Sequence, residues 1–174
     1  GTPIEVNFYD KAKNKLPSNY ILAIHTDKKG NLWVGTNGNG VGLLRKGKSV
    51  FETLSEKDGL ANGAIQSIIE DDRGRIWFST NKGLSCYSPA QNKFKNYSNA
   101  VGLQEGAFML GASLKMDDGE IYFGGQKGFN HFYPAHLKTN SNPAKVALTD
   151  LKIDNVIIQP SEKGPIQQSL LTAD

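Results

Sequence analysis

Trp33, Trp77 and Tyr122 are the side chains of this sequence best suited to stack on a sugar or another flat, weakly polar ligand. They recur at a fixed interval: Trp77 follows Trp33 by 44 residues, and Tyr122 follows Trp77 by 45. Each sits inside one copy of a repeated stretch, GNLWVGTNGNG (30–40), GRIWFSTNKG (74–83) and GEIYFGGQKG (119–128). An identical register in every copy favours packing between repeats over ligand contact. Stacking platforms remain the functional alternative.

Other chemistry is sparse. His25, His131 and His136 stand at no metal-ligand spacing to cysteines or carboxylates, so no metal site is expected. The turns Asp27-Lys28-Lys29-Gly30, Asp71-Asp72-Arg73-Gly74 and Asp117-Asp118-Gly119 look superficially like calcium loops. They lack the bidentate glutamate and the ligand count of such loops, and read instead as hairpin turns. GTNGNGVG has neither the GxGxxG spacing nor a GK[ST] ending, which excludes a phosphate loop. No Ser/His/Asp set and no carboxylate pair stands out, so the chain is expected to be non-catalytic and free of cofactors. Cys86, in the run LSCY, has no partner for an intrachain disulfide and reads as a small buried apolar residue.

The elements that hold these residues follow from the repeat. YILAIHTD (20–27) and AIQSIIED (64–71) are apolar at both parities, the mark of strands covered on both faces. The Asp-to-Gly turns lead into second strands carrying Trp33, Trp77 and Tyr122, with Gly30, Gly74 and Gly119 accepting the turn geometry. GLLRK, GLSCY and GFNHF supply third strands, and VFETL (50–54) and KFKNY (93–97) supply fourth strands. Four short strands in about 44 residues is the size of one propeller blade. The expected fold is all-β: a partial β-propeller of about three four-stranded antiparallel blades over 1–137, then a linker at 138–145. EVNFYD (5–10) is expected to be the last strand of a preceding blade. After Pro143, the alternation in KVALTDLKIDNVII, with a turn at Asp154-Asn155, opens a second β-domain over 146–174.

In an up-and-down blade, the loop entering strand one and the loop after strand two share an end of the sheet. That places Asn19, Thr36, Asn37, Asn62, Thr80, Asn81, Gln126 and Lys127 on one rim, as turn caps or as contacts for a polar ligand. Net charge is +3, with lysines scattered among Asp and Glu, so no nucleic-acid footprint is expected. No apolar run reaches the ~20 residues of a membrane span, and no membrane contact is expected of this segment. A cut array of blades would expose apolar faces, so a homodimer or higher oligomer is expected.

The pattern Leu60-x-Asn62-x-x-Ile65-x-x-Ile68-x-x-Asp71-x-x-Gly74-x-Ile76-Trp77-Phe78-x-Thr80-x-x-Gly83-Leu84 resembles the two-component regulator propeller repeat, as does the copy from Leu16 to Val41. The likeness covers roughly residues 5 to 134. VALTDLKIDNVII resembles the opening of the Y_Y_Y domain, the β-sandwich that follows such propellers. This resemblance implies the periplasmic sensor region of a hybrid two-component histidine kinase. It also implies an oligosaccharide ligand, control of polysaccharide-utilisation genes, and further repeats with a signal peptide upstream. Ligand residues are not fixed by the repeat, so none is carried over. The competing expectations are a propeller-based lyase or hydrolase, which would need acid/base or metal residues clustered on one rim, and a protein-interaction scaffold.

Overall fold

A computed structural model describes residues 6–137, 152–153 and 156–157. The chain divides into two units, 1–137 and 138–174.

The first unit is a row of antiparallel sheets. The first contains β1 (Ile21–Thr26), β2 (Leu32–Thr36), β3 (Val41–Leu44) and β4 (Glu52–Leu54) in sequential order. The second repeats this order with β5 (Ile65–Glu70), β6 (Ile76–Thr80), β7 (Gly83–Ser88) and β8 (Lys93–Tyr97). The third has β9 (Phe108–Lys115), β10 (Ile121–Gly125) and β11 (Gly128–Phe132). Innermost strands β1, β5 and β9 lie against one another, so the sheets fan out from a common axis. In the second unit, β12 (Lys152–Ile153) pairs antiparallel with β13 (Val156–Ile157), Ile153 opposite Val156. The linker and the Asp154-Asn155 turn expected from sequence lie outside the described residues.

The register is shared between repeats. Trp33 stands between His25 and Leu43, and Trp77 between Ile69 and Cys86. Tyr122 takes the same place between Leu114 and His131. A register shift interrupts the pairing of each β1-type strand, at Ile21/Ala23, at Ile65/Ser67 and, on the third sheet, opposite Phe123/Gly125. The turn glycines Gly30, Gly74 and Gly119 have φ of +80°, +71° and +88°, a region that costs an L side chain steric strain.

Two expectations need correction. Residues 6–10 form no strand; instead Asp10 caps a single helical turn, α1 (Lys11–Asn14), accepting the Lys13 N–H at 2.7 Å. Val6 and Phe8 are exposed, and no neighbouring strand among the described residues offers them a ladder. The third sheet has three described strands, not four. After β11 the chain enters a 3-10 turn at Pro134–His136, whose proline has no N–H to continue a ladder.

The core lies in the seams between sheets. In the first seam Trp33, Val41 and Leu43 meet Leu60, Ile65, Ile68, Ile76, Phe78 and Tyr87. In the second, Ile69, Trp77, Leu84 and Cys86 meet Phe108, Ile121 and Phe123. Burial of the Cys86 thiol pushes its pKa up to about 12, which keeps it protonated and unreactive at neutral pH. On the outer side of the first sheet, Leu16 packs with Val34, Leu44 and Phe51.

Candidate ligand-binding rim

Each sheet has two ends. At one end lie the Asp turns, and these serve the seams. Asp27 accepts the Trp33 indole N–H at 2.9 Å, the Asn31 side-chain amide at 2.9 Å and the backbone N–H groups of Lys29 and Asn31. Burial alone would raise the Asp27 pKa, but these donors outweigh it and hold the carboxyl below its ordinary range. Asp71 does the same work for Trp77, and also receives Arg75 Nε at 2.7 Å. Arg75 then spans the seam, donating to the Pro134 carbonyl at 3.0 Å and lying 5.7 Å from the Trp77 ring.

The third repeat solves the problem differently. Met116 occupies the position of Asp27 and Asp71, as its matching backbone bond to Glu120 shows, and Tyr122 replaces tryptophan. The acceptor has moved to Glu120, which takes the Tyr122 hydroxyl at 2.5 Å and His131 Nδ1 at 2.6 Å. The bond to Glu120 raises the Tyr122 pKa to about 12. Trp33 and Trp77 are 1% and 0% exposed, whereas Tyr122 is half-buried on a face that no other described element covers. Neither indole is a platform for a ligand, and Tyr122 is not the sealed core residue its siblings are.

At the opposite end lie the rim residues expected from sequence, in three conditions. Thr36 and Thr80 are fully buried, and their hydroxyls donate to the Gly40 and Gly83 carbonyls at 2.8 and 2.9 Å. They fold the loop after strand two, the turn-capping alternative of the two expected at this rim. Asn19 is exposed but accepts the Lys11 N–H, and half-buried Asn62 joins Glu56 and the Ala64 N–H. Asn37, Asn81, Gln126 and Lys127 are exposed.

The two seams differ at this rim. From Thr36 to Gly40 the first loop carries one residue more than the second loop, Thr80 to Gly83. The longer loop reaches across: Gly38 and Gly40 both donate to the Gly63 carbonyl, at 3.0 and 2.9 Å, and Asn37 bridges Ala64. A Cβ on Gly63 would fall 2.5 Å from the Gly38 oxygen, so the approach demands glycine. The shorter loop leaves the second seam open. A cleft of about 390 Å3 remains there, lined by Asn81, Lys82, Gly83, Ser98, Asn99, Gln104, Glu105 and Gly106.

Sequence reading found Asn81 but passed over Lys82 and Gly83 beside it, and it missed Ser98, Asn99, Gln104, Glu105 and Gly106, which belong to the next repeat's entry segment and meet Asn81 only across the seam. Gln104 is committed, receiving the Lys127 N–H and donating to the Gly106 carbonyl. Asn81 accepts from Gln66 at 2.9 Å, while Lys127 pairs with Glu105 at 3.4 Å. The Asn99 amide, the Ser98 hydroxyl and the Lys82 ammonium make no side-chain hydrogen bond within the described residues. The cleft thus offers neutral donors and acceptors with charges of both signs. Among the described residues no group of three or more His, Cys, Asp or Glu side chains is arranged to hold a metal ion.

Sequentially ordered antiparallel sheets, fanned about inner strands and sealed by Asp–Trp turns, define the class: a segment of a β-propeller. Residues 15–38 and 59–82 match the Two component regulator propeller family. The chain is similar to Histidine kinase P4 of Formosa agariphila, 30% identical over 131 residues, which are 74% of this chain and 9% of that protein. It is similar also to an extracellular domain from B. thetaiotaomicron assigned to a hybrid two component system. That match has 27% identity and a TM-score of 0.51, over 90% of this chain and 28% of the other. A second such domain from the same organism matches at 23% identity and TM-score 0.59, over 68% of this chain and 17% of the other, a likeness of fold. The chain therefore spans about a tenth of the curated relative and about a quarter of the first solved domain.

Proposed function

We propose that this chain is a non-catalytic sensing segment of the extracytoplasmic part of a hybrid two-component receptor, and that it contributes to recognition of a neutral oligosaccharide. Similarity over 90% of the chain to an extracellular domain of such a system supports the receptor context. The cleft at the second seam is the observation that carries ligand binding. Its volume lies within the range of small-ligand pockets. Asn99 and Ser98 each provide donor and acceptor capacity, the chemistry that sugar hydroxyls require, and Lys82 adds a donor at the mouth. Control of polysaccharide-use genes would follow from the receptor's downstream modules.

Isothermal titration of the chain with a panel of neutral and acidic oligosaccharides tests the reading. Binding of a neutral member, weakened tenfold or more by Asn99→Ala with Lys82→Ala, is the expected result. Binding that is indifferent to both substitutions places recognition elsewhere, and no binding across the panel removes the ligand assignment.

A further inference from the structure

The turn ends of the two internal seams share one register but are filled differently. Glu70 and Lys115 hold the same place, opposite Ile76 and Ile121. Pro89 and Pro134 each stand two residues after the other partners of those isoleucines, Tyr87 and Phe132. Asn31 holds the place of Arg75, since the carbonyl of each accepts the N–H of its turn aspartate. In the second seam two cations fill this end. Arg75 reaches from Asp71 to the Pro134 carbonyl, and Lys115 pairs with Asp72. The cleft that remains is about 100 Å3. In the first seam those two places carry a neutral amide, Asn31, and a carboxylate, Glu70, and the cleft is about 390 Å3.

Glu70 lines this cleft and is only 9% exposed. Its Oε2 accepts the Lys28 N–H across the seam at 2.7 Å, and among the described residues Oε1 accepts no hydrogen bond. Asp27, in the same cleft, already receives four donors, so it supplies charge and no further bonding site. Arg45 and Glu52 neutralise each other through two bonds of 2.7 and 2.9 Å. Asp27 and Glu70 then face one exposed cation, Lys29, and the balance is negative. We propose that this cleft binds a guanidinium group, in the place that the Arg75 side chain fills in the second seam, with Glu70 Oε1 as its acceptor. A buried carboxylate gains most from a charged donor, and a planar fork of N–H groups can bond a carboxylate and a carbonyl at once. Pro89, the counterpart of Pro134, lines the same cleft. The site lies at the opposite end of the sheets from the rim cleft and does not rest on the oligosaccharide reading.

Amide NMR titration of the 174-residue chain with methylguanidine, and with the peptide acetyl-Gly-Arg-Gly-amide, tests the site. Both probes should move the signals of Lys28, Asn31 and Glu70. Similar affinities assign the group to a small guanidine compound, whereas a peptide that binds about tenfold more tightly assigns it to a peptide arginine. The matching citrulline peptide, alike in shape but uncharged, should bind about tenfold or more weakly, as expected when a charge-assisted bond becomes a neutral one. Glu70→Gln keeps an acceptor for the Lys28 N–H and should weaken both probes by a similar factor. Asn31→Arg supplies the second seam's own guanidinium from within, and should abolish binding with an unchanged far-ultraviolet circular dichroism spectrum. Three results overturn the proposal: no movement of these signals with either probe, equal affinity for the citrulline peptide, or binding indifferent to both substitutions.

Discussion

Nε1 of Trp77 lies 2.9 Å from Oδ2 of Asp71, and Trp33 stands at the same 2.9 Å from Asp27. In each of these two repeats one carboxylate both builds the turn and satisfies the only polar atom of the indole in the seam. A buried indole N–H left unpaired would forfeit part of what its ring contributes. The pairing therefore explains why Asp and Trp keep their spacing of six residues in both copies.

Asp71→Ala should lower stability by about 2–3 kcal/mol, the range for a lost hydrogen bond to a charged acceptor with a donor left buried. Urea unfolding of the two chains measures it. A loss below about 0.5 kcal/mol would mean that the Trp77 N–H finds another acceptor.

Trp77→Ala should cost about 3–5 kcal/mol, as for other large aromatic side chains emptied from a core. Tyr122→Ala should cost less than half as much, because no other described element covers its face. Equal losses would show that the third-sheet face is packed after all.

His25 supplies a pH dependence. Burial lowers its pKa, with Glu70 and Asp27 nearby opposing the shift, and its Nε2 is buried without a hydrogen-bond partner among the described residues. Because the folded value lies below the unfolded one, near 6.5, the unfolded chain takes up the proton first. The contribution is complete above the unfolded pKa and is lost as pH falls through the folded pKa. Urea midpoints should thus drop between pH 7.5 and pH 5.5, and His25→Gln should reduce the drop. A midpoint that rises on acidification would reverse the assignment.

Protein purified without added metal should contain no stoichiometric zinc or copper. His131 is engaged by Glu120, and among the described residues no three His, Cys, Asp or Glu side chains are grouped to hold a metal ion. Elemental analysis checks it, and one equivalent of either metal per chain would contradict it.

The architecture is legible because a repeat states its own register: Trp33, Trp77 and Tyr122 mark the second strand of each sheet. Strand ends were legible where Asp and Gly bracket them. Residues 6–10 were not, since EVNFYD has strand-forming residues but a strand needs a neighbour, and Asp10 commits the following residues to a helical turn. At the rim, sequence placed Thr36 and Thr80 beside Asn37 and Asn81. It left turn capping and ligand contact both open, and the buried Thr36 and Thr80 hydroxyls take the first. The cleft itself depends on a difference of one residue between two loops, and on partners some twenty residues away along the chain. Neither signal carries a local motif.

The chain has two tryptophans, and each internal seam holds one of them. Trp33 is flanked by Phe78 and Tyr87 at 5.9 and 5.7 Å, while Trp77 is stacked on Tyr97 at 5.4 Å with Arg75 beside it. The protein thereby contains two native fluorophores in distinct electrostatic settings. A chain with Trp33→Phe emits from one boundary and a chain with Trp77→Phe from the other. Time-resolved emission can then report, without any attached dye, whether both boundaries loosen together or one after the other when a sugar binds or denaturant is added.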